Sequence, residues 1–249
     1  MGLSEQETLF GYLERLKNRE NHSTGLSPAP GYGAANNQNK EKTAKPDEPQ
    51  ENDPLLRQAS VVRSLEAWRD LCLTCSRCSL RAHASGVVFG EGHPRAQLMF
   101  IGEGPGAEED RQGRPFVGAA GQLLDRIIAS AGLSRKDVYI ANIVKCRPPK
   151  NRAPQRDEME ACLPLLEKQI ALIDPKILVL LGAVATKALL DPSLAITRAR
   201  GSWYQWRGHQ VMPTFHPAAL LRDPGKKKPV WEDIQAVMAR QKELGAKEP

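Results

Sequence analysis

The sequence lacks any run near the roughly 18 consecutive apolar residues that a membrane-spanning helix needs. Its first residues, MGLSEQETLF, also lack the basic start and apolar stretch of a secretory signal. We therefore expect a cytosolic protein in a reducing compartment, where grouped cysteines bind metal more often than they form disulfides. The chain has five cysteines in 249 residues, and its hydrophobic fraction of 41% is sufficient for a packed core.

Positive charge is concentrated in the body of the chain. Residues 1–53 carry six Lys and Arg against nine Asp and Glu, whereas the remaining residues carry 29 against 20. A basic body attracts polyanions because phosphates release counterions on binding. Many soluble domains of similar charge bind no nucleic acid, so this pattern is compatible with DNA or RNA without requiring either.

The sequence divides into three segments. Segment 1–20 contains an amphipathic helix from residue 4, because Ser4 and Glu7 have capping-box spacing and leucines recur on one face. Segment 21–53 is rich in Ser, Pro, Gly, Asn, Gln and charge, so it buries too little apolar surface to fold and is predicted to be a flexible linker. The main domain is predicted to span 54–249.

Helix-like and strand-like patterns alternate within the main domain. This rhythm predicts an α/β fold with a mainly parallel sheet between helices on both sides. The predicted helices are 55–72, 121–131, 157–173, 183–190 and 231–244. The predicted strands are 97–102, 138–144 and 177–182, followed by a hairpin-like stretch at 203–206 and 209–212.

Three polar loops follow strand-like segments: the loop after Gly102, the segment at Asn142, and the segment containing His216. Ligands of open α/β sheets gather at the carboxyl ends of the parallel strands. We therefore expect these three loops to form one shared site.

The cysteines have the spacing of a metal centre. Cys75 and Cys78 are separated by two residues, which lets a tight turn direct both sulfurs at one metal, whereas the fold must bring in Cys146 and Cys162. Four thiolates suit either structural zinc or a [4Fe–4S] cluster, and spacing does not decide between them. Alternatively, Cys146 and Cys162 are buried core residues. Cys72 is a competing ligand by its spacing, but its position on a helix favours the core.

Two loops could contact a ligand, one through its backbone and the other through a phenylalanine ring. The Gly102–Gly106 loop lets backbone approach a planar ligand closely, although it could also be a phosphate-binding or merely tight turn. Phe116 lies in the Gly113–Gly118 loop, where it is either an ordinary core residue or a stacking platform for an extruded base.

Two basic segments could contact phosphates. The first segment contains no acidic residue and is stiffened by two prolines, which favours a surface preset for phosphates. The alternative interpretation is an ordinary solvated loop. Its cations are Lys145, Arg147, Lys150, Arg152 and Arg156. In the second, Leu220 and Leu221 precede Arg222 and three lysines, which suits an apolar wedge between bases but also the first turn of an amphipathic helix.

Taken together, the strings CSRC, GEGPGAEEDRQGRPFVGAAGQLLD, ANIVKCRPPKNRAP and TFHPAALLR, in this order, resemble the family 4 (iron–sulfur, bacterial and archaeal) uracil-DNA glycosylases. The resemblance covers about residues 75–231. The glutamate in the first loop argues against family 5. The lack of histidine between Lys145 and Cys162 argues against a relative that crosslinks to uracil.

The resemblance implies a monofunctional enzyme that excises uracil from DNA, leaves an abasic site and so initiates base-excision repair. It also implies a three-layer αβα sandwich with a central, mainly parallel four-stranded sheet. It favours a [4Fe–4S] cluster over zinc, with ligands Cys75, Cys78, Cys146 and Cys162.

The resemblance further assigns roles in the site. Glu103, Gly104, Pro105 and Gly106 would form a wall of the uracil pocket. Phe116 would stack on the flipped base, Asn142 would read its edge, and His216 would face the developing charge on uracil O2. The implied DNA contacts are Lys145, Arg147, Lys150, Arg152, Leu220, Leu221 and Arg222.

The chain departs from the best-known uracil-DNA glycosylases in one place. Where those enzymes carry an aspartate, two residues after the first glycine of the loop, this chain has Gly104. The attacking water would then be held by Glu103, by Glu109 or by backbone, and we favour Glu103 with Asn142. The alternative function is a non-catalytic iron–sulfur protein that binds DNA.

The expected partner is uracil-containing DNA, single- or double-stranded, with no membrane partner, and the expected state is a nucleoid-associated monomer in the cytoplasm. Residues Gln6–Phe10 resemble the short Gln-x-x-Leu-Phe peptides that bind the bacterial sliding clamp. The alternative is that Leu9 and Phe10 dock the first helix on the domain.

Overall fold

A computed structural model describes residues 53–245. The predictions for segment 1–20, for the linker up to residue 52 and for the Gln6–Phe10 peptide lie outside the described residues. The strands are β1 Glu91–Gly92, β2 Leu98–Gly102, β3 Tyr139–Asn142, β4 Ile177–Leu181, β5 Tyr204–Trp206 and β6 His209–Thr214. The α-helices are α1 Pro54–Val61, α2 Leu65–Leu73, α3 Ala107–Gln112, α4 Ala119–Ser130, α5 Arg156–Ile173, α6 Gly182–Leu189, α7 Ile196–Ala199, α8 Pro217–Arg222 and α9 Lys227–Gly245.

The strands form one sheet in the order β1-β3-β2-β4-β6-β5. The four inner strands are parallel, and the two edge strands are antiparallel to their neighbours. The sheet of this part of the chain therefore has six strands, which corrects the predicted four. The hairpin of β5 and β6 was predicted, but β1 has only two residues and is too short to give an alternating pattern.

The inner strands are buried on both faces because helices cover both sides of the sheet. In β2, Leu98 and Phe100 pack with α4, α8 and α9 on one side. Met99 and Ile101 pack with α5 and α6 on the other side. This alternation produces the three-layer αβα sandwich that the strand-helix rhythm and the family resemblance predicted.

A third apolar cluster joins α1 and α2 to the outside of α5. The indole N–H of Trp68 donates to the carbonyl of Leu165 at 3.1 Å, and Cys72 is fully buried beside it. The preference for Cys72 as a core residue is confirmed. The single helix predicted over 55–72 is wrong, because Ser64 starts a new helix by accepting a hydrogen bond from Ala67 N at 3.1 Å.

The remaining helix predictions differ from the structure mainly at their first turns. The last helix begins at Lys227, four residues before the predicted start, because Pro229 is tolerated in the first turn. The short helices α3, α7 and α8 were not predicted as elements. Among the described residues, no helix combines the length and apolar character needed to cross a membrane.

Candidate functional site

A cleft of about 700 Å³ lies at the carboxyl ends of the four parallel strands. Its walls include Glu103 after β2, Asn142 at the end of β3 and His216 after β6. The predicted convergence of three loops is confirmed. The sequence reasoning missed a fourth wall, Gly182 after β4, which has a φ of +90° and a Cβ position only 2.9 Å from the Cβ of His216. A glycine directly after a buried strand was the available signal.

The first loop has no room for a side chain at Gly104. A Cβ there would lie 2.7 Å from the Cγ2 of Val144, closer than real Cβ atoms approach other atoms. The two loops are tied by a hydrogen bond from Val144 N to Glu103 O at 3.2 Å. Glu103 itself is half-buried and lines the cleft, and burial raises the pKa of its carboxyl above the ordinary value.

Asn142 lines this cleft and carries an unsatisfied acceptor. The residue is 2% exposed, and its Oδ1 has no hydrogen-bond partner. The absence of a side chain at Gly102 makes room for it, because a Cβ there would be 2.5 Å from this oxygen. A buried acceptor without a partner costs about 1–3 kcal/mol, so the site favours a ligand that brings an N–H donor.

Phe116 and His216 form a stacked pair beside Asn142. Their ring centroids are 5.6 Å apart and the ring planes are inclined by 30°. Phe116 is 4% exposed and belongs to the core cluster of α4, α8 and α9, yet it also lines the cleft. The two interpretations of Phe116, core residue and site residue, are therefore compatible.

The hydrogen bonds of His216 define its tautomer. Its Nδ1 accepts a hydrogen bond from the backbone N–H of Ala218 at 3.1 Å, so the proton of the neutral ring is assigned to Nε2. Burial, and after it the charge of Arg222, lowers the pKa of His216 to about 4. The ring is therefore neutral near pH 7 and acts as an N–H donor.

Glu109 holds the two cleft loops together. One carboxylate oxygen accepts from Val117 N at 2.9 Å and Gly118 N at 2.8 Å, and the other accepts from Gly106 N at 3.1 Å. Both oxygens are thus engaged with backbone amides, in contrast to the carboxyl of Glu103.

The predicted DNA contacts need one correction in the first basic segment. Lys145 is 1% exposed and donates to the Oε1 of Gln169 at 2.6 Å, so it lies inside the protein and not on a DNA-facing surface. Arg152 makes a two-pronged ion pair with the buried carboxylate of Glu158, at 2.6 and 2.8 Å. Lys150, five residues further along the same segment, is exposed.

The predicted apolar wedge also needs a correction. Leu220 is 1% exposed and packs in the core of α4, α8 and α9, so it is wrong as a wedge residue. Leu221 is 44% exposed at the next position of α8, and Arg222 lines the cleft. On the short helix α8, Leu220 therefore faces the interior and Leu221 faces outward.

The four predicted cysteine ligands line one small pocket: Cys75, Cys78, Cys146 and Cys162. Three cations, Arg77, Arg81 and Lys145, line the same pocket. Over residues 53–245, no group of three or more His, Cys, Asp or Glu side chains is arranged to hold a single metal ion. A tetrahedral zinc site needs sulfurs about 3.8 Å apart, given Zn–S bonds of about 2.3 Å. The cysteines thus share a pocket without closing around one ion.

Two of these thiols, Cys146 and Cys162, are buried, and the other two are half-buried. Burial raises the pKa of Cys146 to about 12 and that of Cys162 to about 11. A backbone N–H at Lys145 donates to the Sγ of Cys162 at 3.3 Å. The raised pKa values mean that these cysteines are protonated thiols near pH 7, whereas a cysteine that ligates a metal must be a thiolate. A positively charged group bound between the sulfurs would offset the preference for the thiol.

Comparisons with known proteins agree with this geometry. The model of the uracil DNA glycosylase superfamily matches residues 89–235. A type-4 uracil-DNA glycosylase of Sulfurisphaera tokodaii is 45% identical over 70% of this chain and 83% of its own, and one of Thermotoga maritima is 46% identical over 65% and 86%. A type-5 uracil-DNA glycosylase of Pyrobaculum aerophilum is 30% identical over 66% and 89%. The chain belongs to the uracil DNA glycosylase superfamily, in its type-4 group.

Proposed function

We propose that this protein hydrolyses the N-glycosidic bond of uracil in DNA, releases free uracil and leaves an abasic site for base-excision repair. The observation that carries the proposal is the buried, unpartnered Oδ1 of Asn142 beside the Phe116 ring in the cleft. The family relationship supports it, since the similar proteins are named as uracil-DNA glycosylases.

Recognition follows from the hydrogen-bonding groups of the base. Uracil carries an N3–H donor next to an O4 acceptor, and a carboxamide offers an acceptor and a donor in one plane. We assign Oδ1 of Asn142 to N3–H and its amide nitrogen to O4. Cytosine reverses this pattern at both positions, so the buried Asn142 oxygen would face another acceptor. The Phe116 ring provides the stacking surface for a base extruded from the helix.

The leaving group determines the chemistry. Cleavage of the glycosidic bond passes through an oxocarbenium-like sugar and a uracil anion, and a donor at uracil O2 stabilises that anion. Nε2–H of His216 is such a donor, held in position by the Ala218 N–H at Nδ1. Because the donor is fixed before reaction, it stabilises the transition state without reorganisation.

We assign the attacking water to Glu103. Both oxygens of the alternative carboxylate, Glu109, are engaged with backbone amides. The position of the usual aspartate is Gly104, where no side chain fits. The raised pKa of Glu103 makes its carboxylate a stronger base than an exposed one.

Contacts to DNA phosphates are assigned to the exposed and half-buried cations of the basic surface. Arg147 and Lys150 lie on the segment after Cys146, and Arg222 lies at the cleft with the exposed Leu221 beside it. Leu221 is placed to enter the base stack where the uracil leaves it. We propose that the protein acts as a nucleoid-associated monomer.

We further propose that Cys75, Cys78, Cys146 and Cys162 hold a [4Fe–4S] cluster. The donor set fits, since four thiols, two buried and two half-buried, share a pocket with three cations that would balance a negatively charged cluster. When bound, the cluster supplies a rigid crosslink. It anchors the segment from Cys146 to Arg152, whose Pro148 also lines the cleft.

The purified protein, incubated with uracil-containing single- and double-stranded oligonucleotides and then with alkali, tests the proposal. We expect strand breaks at uracil and none with matched thymine oligonucleotides. Binding without breaks would establish the alternative, a non-catalytic iron–sulfur protein that binds DNA. A brown preparation with broad visible absorption supports the cluster, whereas a colourless one with one zinc per chain would contradict it.

A further inference from the structure

We propose that Arg135 is a positioning residue that holds the Phe116 ring where it receives the base. The inference rests on the proposed function, because it concerns how the uracil pocket is formed. Arg135 lies between α4 and β3 and is not one of the residues that line the cleft. Its side chain reaches the backbone that carries Phe116.

The guanidinium of Arg135 makes four hydrogen bonds and one further ion-pair contact. Two of the acceptors are the carbonyls of Pro115 at 2.6 Å and Phe116 at 2.9 Å. The other contacts are to carboxylates, with Asp125 at 2.7 Å and one oxygen of Glu91 at 2.7 and 2.6 Å. The carboxylates orient the guanidinium, and the guanidinium fixes two consecutive peptide groups.

The backbone at Phe116 needs such restraint. Its φ is +52°, a left-handed conformation that a bulky non-glycine residue rarely adopts. The next two amides, at Val117 and Gly118, donate to Glu109. Arg135 therefore holds the carbonyls of the two peptide groups that flank Phe116, and Glu109 holds the N–H of the second of these groups and of the next one.

The ring occupies a space that allows little displacement. A Cβ at Gly102 would lie 2.5 Å from the Cζ of Phe116, so one edge of the ring lies against the β2 backbone. Its other neighbour is the His216 ring, with centroids 5.6 Å apart. Relaxation of the backbone at Phe116 would change the stacking surface and disturb His216 as well.

An arginine is required by this arrangement. A planar guanidinium presents five donors in a rigid fork, whereas lysine has three donors on one nitrogen. Lysine at 135 retains the positive charge between Glu91 and Asp125 but cannot also reach both carbonyls. The chain offers a control in Arg114, which pairs with the same Glu91 at 2.7 Å and is mostly exposed.

The experiment compares Arg135→Gln and Arg135→Lys with Arg114→Gln, using the purified full-length protein with its iron content verified. Three quantities are measured: cleavage of uracil-containing oligonucleotide, inhibition by free uracil, and affinity for an abasic-site oligonucleotide. We expect both Arg135 variants to lose at least about 10-fold in kcat/KM and to need about 10-fold more uracil for inhibition. Abasic-site affinity and all values for Arg114→Gln should stay within about 2-fold of the unaltered protein.

A double-mutant cycle between Arg135 and Phe116 distinguishes positioning of the ring from general structural support. If Arg135 acts through Phe116, Arg135→Lys should cost less than about 2-fold in a Phe116→Ala background. An equal loss in both backgrounds would overturn the proposal, as would a fully active and fully inhibitable Arg135→Lys. Inactivity of the unaltered protein would instead refute the proposed function. In that case, direct measurement of free-uracil binding would still show whether the Arg135 variants have a weaker uracil pocket.

Discussion

Replacing Gly121 by alanine tests how closely the pocket depends on the Phe116 loop. Gly121 lies buried in the first turn of α4, directly under the carbonyl of Phe116. An added Cβ would be 1.9 Å from that oxygen and 2.0 Å from its carbon. Real Cβ atoms are essentially never closer than 3.0 Å to another atom, so the loop or the helix must move by at least about 1.1 Å.

Two effects of opposite sign act on stability. Alanine is favoured over glycine within a helix by roughly 1 kcal/mol. Forcing a methyl group into packed backbone costs about 1–3 kcal/mol, because neither the loop nor the helix is a flexible side chain. We therefore expect a net destabilisation of about 0–2 kcal/mol, which leaves the protein folded.

The effect on activity should be larger. A displacement of about 1 Å in a residue that positions substrate costs on the order of 100-fold in rate. The assay is cleavage of uracil-containing oligonucleotide, with melting temperature and visible absorption to establish that the domain and its cluster are intact. Gly86→Ala is the control, since it has no atom within 4 Å of its Cβ position and no positive φ. A Gly121→Ala protein within 3-fold of the unaltered rate would refute the reasoning.

Four further predictions concern Glu103, His216, Asn142 and the cysteines. The cleavage rate should fall as the pH decreases, with an apparent pKa above the 4.5 of an ordinary glutamate. The reason is that the reaction needs the Glu103 carboxylate, whereas burial favours its protonated form. This acidic limb of the pH–rate profile should be absent in Glu103→Gln. His216 should add no limb above about pH 5 because its pKa is about 4, so an imidazole titration between pH 6 and 7 in the NMR spectrum would contradict its neutral role. Asn142→Ala should lose about 100-fold or more in kcat while retaining the visible absorption, and a near-normal rate would rule out its assignment. Cys162→Ser should lose iron whereas Cys72→Ser, in the apolar cluster of Trp68, should retain it; equal iron contents would remove the distinction between them.

The sequence predicts the features that depend on local pattern. Buried strands such as 177–182 are continuous apolar runs, and the rule that loops meet at the carboxyl ends of parallel strands was sufficient to bring Glu103, Asn142 and His216 into one cleft. Side-chain direction within a short segment was not predictable in this way. Lys145 and Lys150 look alike in a basic stretch, but Lys145 comes directly after the buried residues Ile143 and Val144 and turns into the interior.

The same limit applies to contacts that are distant in sequence. Leu220 and Leu221 are adjacent, and only the packing of α8 on α4 makes one of them core and the other surface. The contact of Arg135 with the carbonyl of Phe116 spans 19 residues and involves no motif. Backbone carbonyls carry no sequence signature, so residues that act on them are found from the structure.

The missing aspartate at Gly104 is explained by packing against the loop that carries Cys146. The Cβ position of Gly104 is 2.7 Å from the Cγ2 of Val144 and 3.8 Å from the Cδ of Pro148, and both belong to the segment around that cysteine. An added Cβ at 104 would require Val144 or the first loop to shift, and this shift would strain the hydrogen bond from Val144 N to Glu103 O. A substitution Gly104→Asp should therefore lower activity instead of restoring a catalytic carboxylate, and a rate increase in that variant would show that the loops separate at little cost. Among the described residues, Glu103 is then the carboxyl of the first loop that lines the cleft without a backbone amide on either oxygen of the kind that holds Glu109.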